Sequence, residues 1–154
     1  PGRMETFTLS SGTTVIIDYA HTPDAYEKSL NVIKTIKDDK GKIYIVFGAG
    51  GERDRYKRSV MGSIAERYCN HSFIAPDNPR GENLENINSD IISGYLKKEN
   101  YSIFNDRAEA LHCALKKAKR NDSVAIFGKG REEYQEVKDK RYHHSDLEIV
   151  REYQ

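Results

Sequence analysis

Four short segments of this chain gather residue types that do chemistry. In Asp77–Asn78–Pro79–Arg80 the proline restricts Asn78 to extended conformations and stiffens the loop, so Asn78 and Arg80 can face one ligand. A guanidinium grips a carboxylate through two parallel hydrogen bonds; a plain surface turn is the alternative. Gly48–Ala49–Gly50–Gly51–Glu52–Arg53–Asp54 lets a ligand approach the backbone, and the amides of a following helix favour an anion. Its spacing fits neither the dinucleotide GxGxxG nor the Walker GxxxxGK followed by Ser or Thr. Arg53, Arg55, Lys57 and Arg58 place positive charge at that helix start, against its dipole. This makes sense over a bound anion; pairing of the arginines with Glu52 and Asp54 is the alternative. Gly128–Lys129–Gly130–Arg131–Glu132–Glu133 is half a phosphate loop without the Ser or Thr after lysine. It reads as a source of backbone groups and one acidic side chain, Glu132, able to hold an ammonium group. Asp18–Tyr19–Ala20–His21 offers a carboxylate suited to ribose hydroxyls and an imidazole suited to a nucleotide. His71, His112, His143 and His144 read as structural.

These segments need a scaffold, and the apolar pattern supplies one. Met4–Leu9 and Thr13–Asp18 read as strands joined by the turn Ser10–Ser11–Gly12, a hairpin. Thr22 and Pro23 open a helix with Tyr26, Leu30, Ile33 and Ile36 on its apolar face. Ile43–Phe47 is apolar throughout, as a central strand buried on both faces must be. A helix bearing Val60, Ile64, Ala65 and Tyr68 follows, then a strand at Phe73–Ala75 and a helix bearing Leu84, Ile87, Ile91 and Tyr95. After a strand at Tyr101–Phe104, Asp106 and Glu109 form a capping box on a helix bearing Ala108, Leu111, Leu115 and Ala118. Val124–Phe127 is the last clear buried strand, followed by a less regular stretch and a short helix capped by Ser145 and Glu148. The order predicts an α/β, Rossmann-like, mostly parallel sheet with helices on both faces and an N-terminal β-hairpin. Ligands of such sheets sit beyond the carboxyl ends of the strands, and all four polar segments fall there.

The 154 residues suit one domain. A net charge of +1 lacks the cationic excess of a nucleic-acid surface, and no apolar run is long enough to span a bilayer. Cys69 and Cys113 lack metal spacing and read as reduced packing residues. The opening at Pro1 rather than methionine suggests a piece of something longer.

Pro1–Gly2–Arg3–Met4–Glu5, Asp18–Tyr19–Ala20–His21–Thr22–Pro23–Asp24, Gly50–Gly51–Glu52–Arg53–Asp54 with Lys57–Arg58, Asp77–Asn78–Pro79–Arg80, Arg107–Ala108–Glu109–Ala110, Gly128–Lys129–Gly130 and Tyr134–Gln135 occur in one order over essentially the whole chain. Together they resemble the third, C-terminal domain of the Mur ligases, above all of the type that joins meso-diaminopimelate to UDP-N-acetylmuramoyl-L-alanyl-D-glutamate in peptidoglycan biosynthesis. The resemblance implies a cytoplasmic, ATP-dependent, amide-forming enzyme. Its first domain binds the UDP substrate, and its central domain holds ATP and Mg through a Walker loop, magnesium ligands and a carbamylated lysine. ATP phosphorylates a glutamate carboxylate, the amine of the incoming amino acid attacks the acyl phosphate, and the tetrahedral intermediate collapses to amide and phosphate. The third domain positions the amino acid and closes over ATP, so residues 1–154 alone are expected to be inactive and to carry neither a catalytic residue nor a metal ligand.

By the same resemblance, Arg53, Asn78 and Arg80 hold the carboxylates of diaminopimelate, with Asp77 and Pro79 completing the motif. Gly128, through its backbone, and Glu132 hold the far ammonium group, while Arg3, Asp18 and His21 reach ATP. The implied partners are the amino acid, ATP, the UDP-MurNAc-dipeptide and the enzyme's own other domains, with no nucleic acid or membrane. Relatives that use lysine usually lack the arginine of this motif, since lysine would leave Arg80 buried and unpaired. The family usually has histidine where Arg131 stands and cysteine at Ala49, and Ala75–Pro76 replaces a more polar pair. Arg131 adds charge near the expected ammonium site, which leaves another diamino acid (lanthionine or lysine) as an alternative. A cyanophycin-synthetase-like ligase domain and a stand-alone binding domain are the others.

Overall fold

A computed structural model describes all residues from Pro1 to Gln154. The chain runs β1 (Glu5–Thr8), β2 (Thr14–Asp18), α1 (Pro23–Ile36), β3 (Ile43–Phe47), α2 (Tyr56–Tyr68), β4 (His71–Ile74), α3 (Leu84–Ile92), β5 (Tyr101–Ile103), α4 (Arg107–Lys117), β6 (Ser123–Phe127), β7 (Tyr134–Val137), β8 (Lys140–His143) and α5 (Asp146–Arg151). Six strands form one sheet in the order β1-β2-β6-β3-β4-β5. β1 and β2 make the expected antiparallel hairpin, and the other neighbours are parallel. The central strands are buried along their length because both faces are covered. Ile43, Ile45 and Phe47 point to a core shared with Tyr26, Leu30 and Ile33 of α1, Met61 and Ile64 of α2 and Ile87 and Ile91 of α3. Tyr44 and Val46 point the other way, to Leu111, Ala114 and Leu115 of α4 and Leu147 and Val150 of α5. This alternation is the period-two signature of a pleated strand.

Several local expectations are corrected. Val60 and Ile36 are exposed; α2 buries Arg58, Met61, Gly62, Ile64 and Ala65 instead. Gly62 is there because a Cβ would lie 2.4 Å from the Ile91 carbonyl oxygen, so α2 and α3 touch through backbone. Asp106 occupies the N-cap of α4 but makes no side-chain cap bond; Thr22 and Ser145 do cap α1 and α5. Cys69 is a core residue and Cys113 lies on the surface. The stretch read as irregular is a second hairpin, β7–β8. No helix is long and apolar enough to cross a membrane.

The α4–α5 layer is tied to the carboxyl edge of the sheet by one buried ion pair. Arg107, the first residue of α4, and Asp146, the first residue of α5, are both 0 % exposed. They meet in two parallel bonds, Nε to Oδ1 at 2.9 Å and Nη2 to Oδ2 at 2.8 Å. The guanidinium also donates to the carbonyl oxygens of Pro76 (3.4 Å) and Phe127 (3.2 Å), and His144 Nε2 lies 2.7 Å from Asp146 Oδ1. Burial alone would raise the Asp146 pKa, but Arg107 and His144 outweigh it and hold the carboxyl well below the usual carboxylate range. A depressed carboxyl pKa contributes stability above the unfolded value of about 4, lost as pH falls through the folded one, here only in strong acid. Arg107→Met or Asp146→Asn should each lower the unfolding free energy by about 3–5 kcal/mol, because each strands a buried partner. The double variant should cost less than the sum, read from urea midpoints at unchanged slope.

Candidate functional site

The loops after β2, β3, β4 and β6 border one cleft of about 260 Å³. Its walls include His21, Gly50, Arg53, Asp77, Asn78, Arg80, Gly128 and Glu132. All five residues expected to hold an amino acid are therefore brought together, with Asp77 and His21. Asp18 and Arg3 are not on the wall, and Pro79 is buried behind it.

The loop after β4 is fixed from two sides, the loop after β3 and the second hairpin. Gly51 N donates to the Asn78 carbonyl at 2.8 Å, and a Cβ on Gly51 would lie 1.7 Å from the Pro79 carbonyl oxygen. The glycines after β3 thus serve mainly to let two loops touch, while Gly50 stays at the cleft. From the second hairpin, Gln135 Nε2 donates to the carbonyls of Pro76 (3.1 Å) and Asp77 (2.9 Å), and Glu136 N donates to Asn78 Oδ1 (2.9 Å). Arg80 pairs with β7 through a parallel bridge to Val137.

Arg80 does not offer the free fork that its sequence suggested. Its Nη1 donates to the Gly51 and Asn78 carbonyls at 3.1 and 3.3 Å, and its Nε lies 3.4 Å from Glu136 Oε2. The nitrogen left uncommitted is Nη2. Arg53 is exposed and bonded only to the Glu52 carbonyl, at 3.1 Å. Asn78 is buried, its Oδ1 taken up by Glu136 N and by Lys129 Nζ at 3.0 Å. Lys129 is 0 % exposed and also bonds Glu132 Oε1 at 3.1 Å, with Asp77 Oδ1 at 4.0 Å. Sequence reasoning passed over this lysine, because nothing local distinguishes it from an exposed one; only Asn78, distant in sequence, reveals it. Burial pushes the Asp77 carboxyl up, against the pull of Arg107 and Lys129.

The basic start of α2 divides. Arg58 is 1 % exposed and bonds Glu82 twice (2.7 and 2.8 Å), Asp90 (3.0 Å) and the Gly50 carbonyl (2.9 Å). Arg55 pairs with Asp90 at 3.2 Å. Neither pairs with Glu52 or Asp54, so both readings from sequence are corrected for these two: they tie α2 to α3 and its approach. Arg53 and Lys57 remain at the cleft. Arg131 points away from it, paired with Glu5 through two 2.7 Å bonds.

Asp18 is 7 % exposed, and its carboxylate is taken up by backbone. Oδ2 accepts from Met4 N at 2.8 Å and Oδ1 from Ala20 N at 2.6 Å. It ties the Arg3–Met4 segment to the end of β2. His21 is exposed, with Nδ1 2.8 Å from the Tyr19 carbonyl oxygen. That nitrogen must carry a proton, so the neutral ring presents Nε2 as an acceptor. The other four histidines hold structural positions, His71 on Ser102 and His112 beside Tyr153, for example.

Known proteins share this fold. The sequence profile of "Mur ligase, glutamate ligase domain" matches residues 2–130. The chain belongs to the Mur ligase family. It is 49% identical over 153 residues to the UDP-N-acetylmuramoyl-L-alanyl-D-glutamate–2,6-diaminopimelate ligase of Aquifex aeolicus, covering 99% of this chain and 31% of that protein. The ligase of that name from Bacillus cereus is 44% identical, over 99% of this chain and 30% of its own. A solved structure of a ligase with the same name superposes with a TM-score of 0.90 at 36% identity, covering 99% of this chain and 31% of that one. The chain thus spans about a third of the length of the relatives it matches.

Within this Mur ligase domain the Arg58 hydrogen bonds hold the Glu82 carboxyl down at about 2. Glu82 Oε1 in turn accepts from Glu52 N at 2.9 Å. A depressed carboxyl stabilises above the ordinary glutamate value of about 4.3 and stops doing so as pH falls towards 2. Protection of the Glu52 amide from hydrogen exchange should persist from neutral pH to about pH 4 and vanish near pH 2. Arg58→Met should remove it at neutral pH, with a loss of about 2 kcal/mol in stability.

Proposed function

We propose that this chain is the C-terminal domain of an ATP-dependent ligase that adds meso-diaminopimelate to UDP-N-acetylmuramoyl-L-alanyl-D-glutamate in the cytoplasm, and that it binds and orients the incoming amino acid. One observation carries this reading: Arg53, Asn78 and Arg80 line the same cleft as Glu132 and Gly128. A molecule with a carboxylate and an ammonium group at each end matches such a wall. Arg53 and Arg80 Nη2 with the Asn78 carboxamide receive carboxylates. Glu132 and the Gly128 backbone receive the distal ammonium group. The remaining amine is then held at a fixed place and direction, and positioning of this kind accounts for much of the rate of an amide-forming step.

The names of the relatives favour diaminopimelate, and so does the geometry of Arg131. Its pairing with Glu5 keeps its charge out of the cleft, which removes the reason for a different diamino acid. Lysine, with no second carboxylate, leaves Arg80 Nη2 without an acceptor.

ATP would supply the leaving group by activating the acceptor carboxylate as an acyl phosphate. The fit of this chain to ATP is at its rim. Arg3 is exposed with no carboxylate partner, and His21 presents Nε2. Both suit the edge of a nucleotide site, and Asp18 serves them by anchoring the Arg3–Met4 segment. In this reading ATP and Mg are held mainly by the ligase's central domain.

Titration of the isotope-labelled chain tests the proposal. meso-Diaminopimelate should shift the amides of Arg53, Asn78, Arg80 and Gly128, and L-lysine should bind at least about tenfold more weakly, the value of one charged hydrogen bond. Arg80→Lys should reduce diaminopimelate affinity about 10- to 100-fold. Equal shifts with both amino acids, or none with either, would count against a preformed diamino-diacid site in this domain.

A further inference from the structure

We propose that Lys129 is a positioning residue that divides the cleft into a carboxylate-binding pole and an ammonium-binding pole. This rests on the cleft being an amino-acid site and adds how its two ends are told apart.

The backbone turns this lysine inward. Gly128 and Gly130 flank it with φ of +111° and +53°, conformations that an L side chain adopts only under strain. The ammonium is thereby placed beneath the wall, and Lys129 does not itself border the cleft. A lysine donates three hydrogen bonds and accepts none. Its Nζ reaches Asn78 Oδ1 at 3.0 Å and Glu132 Oε1 at 3.1 Å.

For Asn78 the consequence is orientational. Lys129 Nζ and Glu136 N both donate to one atom of the carboxamide. Were the group flipped, its NH₂ would face two donors. Oδ1 is therefore the inner atom, and Nδ2, which has no partner within the chain, is the atom of this cleft-lining residue left as a donor. For Glu132 the consequence is the reverse. One oxygen is held by the lysine and the other, Oε2, is left as an acceptor. Two carboxyl groups, Glu132 and Asp77, lie within 4.0 Å of one ammonium, so this pole is supplied with acceptors. Lys129 thus makes a donor of the residue on one side and an oriented acceptor of the residue on the other.

Two simple probes separate the poles: pimelate, with two carboxylates, and 1,5-diaminopentane, with two ammonium groups. Their affinities are measured by chemical-shift titration of the wild-type chain and of two variants. Lys129→Met removes the central charge and frees both neighbours. It should weaken pimelate and leave the diamine equal or tighter, changing their affinity ratio about tenfold or more. Asn78→Asp keeps an acceptor for Lys129 and Glu136, so the fold is retained, but turns the donor facing the cleft into an acceptor. It should shift the ratio in the same direction. If both variants fold, by their amide spectra, and the ratio stays at the wild-type value, the proposal is overturned. Proportional weakening of both probes by Lys129→Met would overturn it too, since that is the signature of a lysine that only supports the fold. Separately, wild-type protein that discriminates the two probes but ignores meso-diaminopimelate would leave the poles standing and remove the assigned substrate.

Discussion

The site depends on the guanidinium of Arg107. It has no contact with solvent, and it holds four oxygens: two of Asp146 and the carbonyls of Pro76 and Phe127. Those carbonyls lie just beyond β4 and at the end of β6, so one planar cation sets the spacing of the two loops that carry Asp77–Arg80 and Gly128–Glu132. The cost is large, because taking two charges out of water outweighs much of their attraction. An apolar pair of similar volume would do as well for stability alone. It would leave the strand ends untied, and the helix termini explain how the charge is tolerated. Asp146 begins α5, where a helix dipole favours an anion. Arg107 begins α4, where a cation is unfavourable, so the bidentate carboxylate is what keeps it there.

Charge is arranged around the cleft by the same device, a cation withdrawn into carboxylates so that another group is left free. Arg58 is consumed by Glu82 and Asp90 and fixes the Gly50 carbonyl. Arg131 is consumed by Glu5, whose carboxyl it holds down at about 2 together with the Gly2 amide. Removal of these two leaves Arg53 and Arg80 as the arginines bordering the cleft. A basic count along the sequence overstates the positive field there, and the balance of signs inside the cleft is what suits a ligand carrying both.

The scaffold was legible because its signals are local. Apolar runs at Ile43–Phe47 and Val124–Phe127, the Thr22–Pro23 helix start and the turn after Leu9 each state their structure within a few residues, and the loops that follow the strands then had to share one edge. The second hairpin was not legible, since its residues are intermediate or exposed and show no apolar alternation. Its contribution is made by Gln135 and Glu136 reaching back to the Asp77–Arg80 loop, a contact with no trace in local pattern. Lys129 and Arg58 were missed for a related reason. Their types are normally exposed, and their burial follows only from acceptors brought in by distant segments. Asp18 shows the converse: a strand-end carboxylate reads as a ligand group, and in the fold it accepts from the amides of Met4 and Ala20.

In the proposed amino-acid site, Arg80 is where such support would become selectivity. Its φ of +55° lies in the left-handed region, a conformation that costs a non-glycine residue on the order of 1 kcal/mol or more and persists only where the surroundings impose it. Here the imposition comes from the hairpin, through Arg80 N on the Glu136 carbonyl at 3.0 Å and the bridge to Val137. With Nε and Nη1 committed to Glu136, Gly51 and Asn78, the side chain cannot turn to follow a misplaced ligand. A free arginine would accept a carboxylate over a wide arc and discriminate little. A clamped one accepts it at a single place, and a ligand lacking a carboxylate there leaves a partly buried charged donor without a partner. Rejection by an unmet polar group is stronger than rejection by a missing methylene, so under the proposed function the hairpin that contributes least to the hydrophobic core would contribute most to which amino acid the cleft holds.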